Sequence, residues 1–176
     1  MRYFLTIAPV CLLAACSGGE EAPKEEAAAA SMEAGQWETT QEVTSFRSAD
    51  KATPALKAAV GDKSNAVACI EEGAREKPPA EIFAGPGYEC DYKDSYIRGG
   101  RINASLTCER EALEGDIGVQ IQGTYTGTSF EGTVTATSFL PGDGDFVMVS
   151  KINGRRTAAA CAPQPEGDEA KVKAKA

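Results

Sequence analysis

The sequence predicts a mainly β (α+β) domain: a curved antiparallel β-meander of about six strands with a short helical insert and two disulfides. Between Tyr88 and Ile152, apolar residues recur at every second position, the period of strands that bury one face and expose the other. Glycine-containing turns separate these strands. Four cysteines lie beyond residue 16, an even number that favours two disulfides in an exported chain.

The first predicted strand covers residues 36–46. It is rich in threonine and valine and contains the single tryptophan, Trp37, and these residue types fit a pleated, half-buried surface. The alanines and prolines that follow predict a helical insert in three pieces, with Pro54 in the first turn of the first piece. The three pieces are residues 55–60, residues 64–74 around Cys69, and residues 80–83.

From Tyr88 onward, each predicted strand has an apolar and a polar face. The apolar positions are Tyr88, Cys90, Tyr92, Tyr96, Ile102, Ala104, Leu106, Cys108, Ile117, Val119, Ile121, Tyr125, Phe130, Val134, Ala136, Phe146, Met148 and Ile152. The polar positions are Asn103, Ser105, Thr107, Gln120, Gln122, Thr124, Thr133, Thr135 and Thr137. We expect the apolar face to pack on Trp37 and the insert as an ordinary core. A hollow that holds a lipid or another hydrophobic molecule is the alternative.

The length of the turn sets the register of the hairpin at Gly127-Thr128. A two-residue loop at Gly127-Thr128 pairs Tyr125 with Phe130 and Ile121 with Val134. Apolar residues then lie opposite apolar residues, which is the register that a half-buried sheet requires.

The hairpin near Gly99 is predicted by the same argument. A two-residue loop would place the apolar face of one strand opposite the polar face of the next. A three-residue loop at residues 98–100 instead pairs Tyr96 with Ile102 and places Cys90 opposite Cys108. We therefore predict a cross-strand disulfide between these two cysteines.

Cys69 and Cys161 then remain for the second predicted disulfide, which fastens the insert to the end of the domain. A metal site is the alternative for the four cysteines. None of them forms a CxxC pair and the chain has no histidine, so we predict neither a metal ion nor another cofactor.

The amino terminus indicates an exported protein. Arg2 precedes a short apolar run over residues 4–13, which is about half the length of a membrane span. Leu13-Ala14-Ala15-Cys16 resembles the bacterial lipobox. The resemblance implies that residues 1–15 are a signal peptide and that Cys16 carries the lipid anchor. An ordinary signal peptide with an incidental cysteine is the alternative.

Low-complexity segments flank the predicted domain. Residues 16–34 follow the signal peptide as the lipidated cysteine and a Glu/Ala-rich flexible tether. The antiparallel β domain covers residues 35–161, and residues 162–176 are predicted to be a disordered tail that ends in alternating lysines. Ser17 after the lipidated cysteine, in place of aspartate, favours the outer membrane by the general sorting rule for bacterial lipoproteins.

Composition excludes several classes of function. The formal net charge of −8 opposes binding to nucleic acid and to anionic membrane surfaces. The absence of histidine excludes Ser-His-Asp and Cys-His catalysis and histidine metal ligands. We therefore predict no catalytic residue, and an enzyme would have to depend on carboxylates, lysine or tyrosine.

Three charged groups are candidates for a site. Asp143-Gly144-Asp145 is either part of a calcium loop or, as we favour, a hairpin turn. Carboxylates cluster from Glu109 to Asp116 and could act as the acid and base of a hydrolase, or simply lie solvated beside a turn. Arg155-Arg156 could bind an anionic group, although ion pairs with the acidic surface are favoured.

The domain also resembles the bacterial domain of unknown function 3617. The matching pieces are Gly35-Gln36-Trp37-Glu38, Cys69, Cys90, Gly99-Gly100-Arg101-Ile102, Cys108, Gly123-Thr124-Tyr125-Thr126-Gly127, Ser129-Phe130, Gly154-Arg155-Arg156 and Cys161. Members are exported proteins of Gram-negative bacteria and are often lipoproteins. The resemblance implies an architecture and a cellular address, and it brings no catalytic residue, cofactor or substrate.

These observations predict a non-enzymatic outer-membrane lipoprotein that faces the periplasm and has a binding or structural role in the cell envelope. The inner membrane and the cell surface are alternative locations. The expected partners are the membrane, through the lipid anchor, and an envelope protein or a hydrophobic ligand. A carrier of a hydrophobic small molecule and a carboxylate-dependent hydrolase are the alternative functions.

The lipid anchor makes a direct prediction. Cys16→Ala should release the protein from membranes, because two or three acyl chains attached at this sulfur and amine would be lost. Fractionation of cells that express the full chain measures this, with Cys11→Ala as the matched control that should stay in the membrane fraction. Membrane association of the Cys16→Ala protein would contradict the anchor.

Overall fold

The computed structural model describes residues 31–162. The predicted signal peptide, Cys16 and most of the predicted tether and tail lie outside the described residues. Within them, seven strands and one short helix follow one another along the chain. Their bounds are β1 Gly35–Ser48, β2 Lys63–Ile70, α1 Glu81–Ala84, β3 Glu89–Arg98, β4 Arg101–Arg110, β5 Leu113–Tyr125, β6 Ser129–Phe139 and β7 Phe146–Ala158, with a 3₁₀ turn at Glu72–Ala74 between β2 and α1.

The strands form a single curled antiparallel sheet in the order β2-β1-β7-β6-β5-β4-β3. Strands β3 to β7 are the expected meander. β1 then pairs with β7, and β2 pairs with the other side of β1. The fold class is as predicted, but the sheet has seven strands rather than about six. β2 and β3 are its two edges.

The extra strand is β2, and here the prediction of a helix over residues 64–74 is wrong. In β2, Ala68 and Ile70 point into the core and Val67 points outward, so the segment follows the period of a strand. Small alanines hide this alternation in the sequence. Pairing with β1 decides the outcome, because it places Ala68 beside Trp37 in the core.

The other two pieces of the predicted insert differ in outcome. Residues 55–60 are not helical. The Ala55 N–H donates to the Gly144 carbonyl at 2.9 Å, which holds this loop against the turn between β6 and β7. The helical turn predicted at residues 80–83 is confirmed as α1, displaced by one residue.

The register of the β5–β6 hairpin is confirmed: Tyr125 pairs with Phe130 and Ile121 with Val134. The β3–β4 hairpin is not as predicted, because its loop has two residues, Gly99 and Gly100, both with positive φ.

This shorter loop exchanges the faces near the β3–β4 turn. Tyr96 pairs with Asn103 and is 46% exposed, whereas Ile97 is buried. A bulge at Lys93 then shifts the register by one residue. Beyond the bulge Tyr92 pairs with Leu106, and Cys90 lies opposite Cys108 as predicted.

The core lies on the concave face of the sheet. Trp37, Phe83 and Phe130 are at most 4% exposed there. The Phe130 ring contacts the Trp37 ring on one side and the Phe83 ring of α1 on the other. α1 contacts β1, β2 and β3, so the segment between the two edge strands fills the concave side. The expected packing of the apolar face on Trp37 and the insert is therefore observed.

The packed part begins before residue 35, the predicted boundary of the domain. Met32 is fully buried, and the Trp37 indole N–H donates to the Glu33 carbonyl at 3.0 Å. The Arg156 guanidinium also binds this segment, through the Ala34 carbonyl at 2.7 Å. Residues 32–34 thus belong to the fold rather than to a tether.

The burial of Trp37 makes a prediction about stability. Trp37→Ala should lower the free energy of unfolding by about 3–5 kcal/mol, because it removes the largest side chain of the core. Chemical denaturation measures the change. Val67→Ala, at a position that is 64% exposed, is the matched control and should change stability by less than about 0.5 kcal/mol. Equal effects of the two substitutions would contradict the assignment of Trp37 to the core.

Candidate functional site

Two disulfides fasten the strands that lie at the edges of the sheet. Cys90 on β3 and Cys108 on β4 are bonded, with Cα atoms 4.0 Å apart. Cys69 on β2 is bonded to Cys161 beyond the end of β7, with Cα atoms 5.5 Å apart. The second bond spans 92 residues of sequence, for which chain entropy gives about 4–5 kcal/mol of stabilisation.

The clustered carboxylates lie at the β4–β5 hairpin. Glu109, Glu111, Glu114 and Asp116 are all exposed and line an open depression beside Arg110. Carboxylate catalysis in glycoside hydrolysis needs two groups that flank a bound substrate bond. The structure brings these side chains together at a solvent-exposed turn. This is how charged residues are ordinarily placed on a protein surface.

The Asp143-Gly144-Asp145 segment forms a turn between β6 and β7, as favoured from the sequence. The Asp145 carboxylate accepts hydrogen bonds from the Ser138 hydroxyl at 2.8 Å and the Leu140 N–H at 2.9 Å. Its oxygens therefore hold the hairpin together. Within residues 31–162, no group of three or more His, Cys, Asp or Glu side chains is arranged to hold a metal ion.

Asp50 fastens this turn to the loop that follows β1. Its carboxylate accepts the N–H groups of Gly144 at 2.6 Å, Asp145 at 2.9 Å and Ala52 at 2.9 Å. The hydrogen bonds from the Gly144, Asp145 and Ala52 backbone favour the charged form and lower the pKa of Asp50 to about 2. This role was not visible in the sequence, because it depends on contact across 94 residues of sequence separation.

The two arginines near the end of β7 form ion pairs. Arg156 contacts Glu33 at 2.7 Å, and the more exposed Arg155 contacts Glu38 at 3.4 Å. Both carboxylates belong to the first segment of the domain. The structure therefore contains the arrangement favoured from the sequence, in which both arginines form ion pairs with acidic residues of the surface.

The tyrosines of β3 and its approach have separate environments. Tyr92 is half-buried, and its hydroxyl donates to the Pro78 carbonyl at 2.8 Å. Burial, and secondarily the charge of Glu81, raises the pKa of Tyr92. Tyr88 is buried and lies beneath the Arg110 guanidinium, 4.6 Å from its ring centroid. Only Tyr96 is largely exposed, so the three do not form a common stacking surface.

The convex face of the sheet carries the predicted polar side chains. Gln120, Gln122 and Thr133 are exposed there, and Thr135 and Thr137 are partly exposed. Phe139, at 63% exposure, borders a shallow groove on this face. On β5 and β6 the alternation of faces is thus as predicted, and the polar face is the outer one.

The two edges of the sheet differ in chemistry. β3 carries Asp91, Lys93 and Asp94 as well as the bulge, all of which discourage pairing with another strand. β2 has the sequence Lys-Ser-Asn-Ala-Val-Ala-Cys-Ile, with one charged residue and an exposed valine, and its register on β1 shows no shift.

Within residues 31–162, β2 pairs with a strand on one side only, so part of its backbone faces outward. The Val43 N–H donates to the Asp62 carbonyl at 2.9 Å, which fixes the phase of the β1–β2 ladder. Since bonded and non-bonded pairs alternate, Ser64, Ala66 and Ala68 face β1, whereas Asn65 and Val67 direct their N–H and C=O groups outward. Sequence analysis missed this edge because it assigned the segment to a helix.

Comparison with known proteins identifies a family for this chain. The family described as "Protein of unknown function (DUF3617)" matches residues 32–161. No curated protein and no solved structure matches the chain. None of the helices among the described residues is long and apolar enough to cross a membrane.

The lowered pKa of Asp50 predicts a pH dependence. Stabilisation by its carboxylate should be fully present above the ordinary pKa of 3.8 and should be lost as the pH falls toward about 2. The melting temperatures of the native protein and Asp50→Ala should therefore differ at pH 6 and converge near pH 2. Asp143→Ala, in the same turn, is the control. A difference that stays constant with pH would contradict this role of the carboxylate.

Proposed function

Because the chain belongs to the DUF3617 family, whose members have no established function, we propose a role from its geometry. The protein is an outer-membrane lipoprotein that faces the periplasm and binds an extended segment of another envelope protein along the free edge of β2. It has no catalytic role. The observation that carries this proposal is the difference between the two edges of the sheet. The edge strand β3 has charged residues and a bulge that discourage pairing with another strand, whereas β2 has one charged residue and no bulge.

The cellular address is supported by the sequence. Leu13-Ala14-Ala15-Cys16 follows a short apolar run, and Ser17 follows the cysteine. The two disulfides are consistent with this address, since such bonds persist in oxidising compartments such as the periplasm.

A non-enzymatic role is supported by the surroundings of the candidate groups. The clustered carboxylates of the β4–β5 hairpin are exposed, and Asp145 and Asp50 are bound to backbone N–H groups and a hydroxyl. The concave face is filled by Trp37, Phe83 and their neighbours. This filling leaves no space beside the tryptophan for a long acyl chain, so it counts against a lipid carrier.

Edge pairing follows from the chemistry of β2. An extended peptide that adds to a sheet gains main-chain hydrogen bonds for affinity and side-chain contacts for specificity. The outward N–H and C=O groups of Asn65 and Val67 could form the main-chain hydrogen bonds. The Val67 side chain, which is 64% exposed, could form the side-chain contacts. Natural proteins usually block such an edge with charges, proline or a bulge.

A different protein is the favoured occupant of this edge, rather than a second copy. The formal net charge of −8 makes two copies repel each other. A partner segment with apolar residues at alternate positions could contact Val67 and would carry no such penalty.

Site-specific photo-crosslinking tests the edge. A photo-crosslinking amino acid at Val67 of the full lipoprotein, in its native cells, should give one discrete adduct. Asn65→Pro should abolish the adduct, because it removes an outward N–H and places a ring in the path of the partner strand, while the ladder to β1 is kept.

Ser95→Pro is the matched control. Ser95 is exposed on the other edge strand, and its N–H also faces away from the neighbouring strand. This substitution should leave the Val67 adduct unchanged. An adduct that survives Asn65→Pro, or a crosslink to the tail of the same chain, would contradict the proposal.

A further inference from the structure

A pocket of ≈ 160 Å³ opens at the end of the curled sheet away from Trp37. Its floor is the concave face of β1 and β7, at Val43, Met148 and Ser150. Leu56, from the loop that follows β1, and Ala84, at the end of α1, form its other walls. The concave side of the sheet is thus filled near the tryptophan and contains this pocket toward the opposite end.

The Tyr88 hydroxyl is the unusual group beside this pocket. Tyr88 lines the pocket and is 8% exposed, and its buried hydroxyl has no hydrogen-bond partner among residues 31–162. Buried hydroxyl groups are ordinarily bonded, so an unpartnered one beside a pocket indicates a polar atom that arrives from outside. Ser150, 1% exposed, adds a second hydroxyl group to the lining.

The charges at the pocket are predominantly positive, in contrast to the acidic chain. Lys63 is paired with Glu42 at 3.3 Å, and Asp62 accepts the Ala59 N–H at 2.7 Å. Lys57 and Arg110 also line the pocket, and the residues between 31 and 162 place no carboxylate within ion-pair distance of either.

We propose that this pocket binds a small carboxylate whose apolar body contains about six carbon atoms. Val43, Leu56 and Met148 would contact the apolar body, since an apolar cavity of about 150 Å³ holds one benzene ring. The carboxylate would bind Arg110 and Lys57 and accept a hydrogen bond from the Tyr88 hydroxyl. This inference goes beyond pairing at the edge of β2 and does not depend on it.

The position of the wall supports a defined site. Leu56 lies next to Ala55, whose N–H donates to the Gly144 carbonyl, and Asp50 fastens the same turn through the Gly144 N–H. The loop that carries Leu56 is therefore anchored at Asp50 and at Ala55. A preformed wall lowers the ordering that a ligand must impose when it binds.

Methionine methyl resonances provide a direct test. The chain has three methionines, Met1, Met32 and Met148, of which Met148 lines the pocket and Met32 is fully buried elsewhere in the core. Titration of the full chain, with Cys16→Ala to avoid detergent, by hexanoate should shift the Met148 methyl signal and leave Met32 in place. The expected Kd is on the order of 0.1–1 mM.

Probe chemistry separates this site from general apolar binding. Hexan-1-ol should bind more weakly than hexanoate, because it lacks the charge that Arg110 and Lys57 attract, and hexylammonium should not bind. Arg110→Gln should weaken hexanoate binding about fivefold, whereas Arg101→Gln, away from the pocket, should have no effect. Equal affinity for hexanoate and hexylammonium would overturn the proposal.

Tyr88→Phe distinguishes a ligand contact from a structural role. It keeps the ring, removes the unpartnered hydroxyl, and should weaken hexanoate binding about fivefold without lowering the melting temperature. Unchanged affinity, or a Met148 signal that hexanoate does not shift, would overturn the proposal. A lowered melting temperature would do the same, since it would mean that the hydroxyl already has a partner in the fold.

Discussion

Phe83 packs edge-on against Phe130 with ring centroids 5.3 Å apart, and Phe130 contacts Trp37 at 5.9 Å. This contact joins the segment between β2 and β3 to the centre of the sheet. A curled sheet buries one face only if something covers it, and here the connection between its two edge strands does so. Without α1 in this place, the concave side of the sheet beside Phe130 would lose the cover that Phe83 provides.

Curvature of the sheet depends on glycines at close backbone approaches. A Cβ at Gly123 would collide with the Glu131 carbonyl, and one at Gly154 would collide with the Phe130 ring. The absence of a side chain at these positions therefore allows the neighbouring strand and the Phe130 ring to approach closely, and Phe130 contacts Trp37. Gly123 and Gly154 lie in pieces of sequence that carry the family resemblance, so these pieces have a steric explanation that is independent of any activity.

Most of the strands could be predicted from the sequence because their faces are strongly contrasted. β5 and β6 alternate large apolar residues with threonine and glutamine, and the Gly127-Thr128 turn fixes their register. β2 could not, since Ala66 and Ala68 suit a helix as well as a strand, and only pairing with β1 decides between them. The bulge at Lys93 was equally hidden, although it leaves Cys90 opposite Cys108.

The candidate sites also differ in whether local sequence was enough to predict them. Local arguments on turn chemistry sufficed for Asp143 and for the carboxylates near Glu111, which lie at hairpins. The free edge and the pocket required tertiary structure, because each is assembled from segments that are distant in sequence. Tyr88 shows this most clearly: its period-two position predicted burial, but the missing partner of its hydroxyl appears only once the surrounding elements are placed.

The arrangement of the chain ends has a consequence for orientation. The Glu33 N–H donates to the Gly127 carbonyl, and Cys161 is bonded to Cys69 at the end of β2 that adjoins the start of β1. Both ends of the described region, residues 31–162, thus lie at one pole of the sheet, and the turns around residues 50 and 144 lie at the other. The pocket is lined by Val43, Leu56 and Met148, on the side of these turns, so a ligand would enter it at the end of the sheet opposite the disulfide between Cys69 and Cys161.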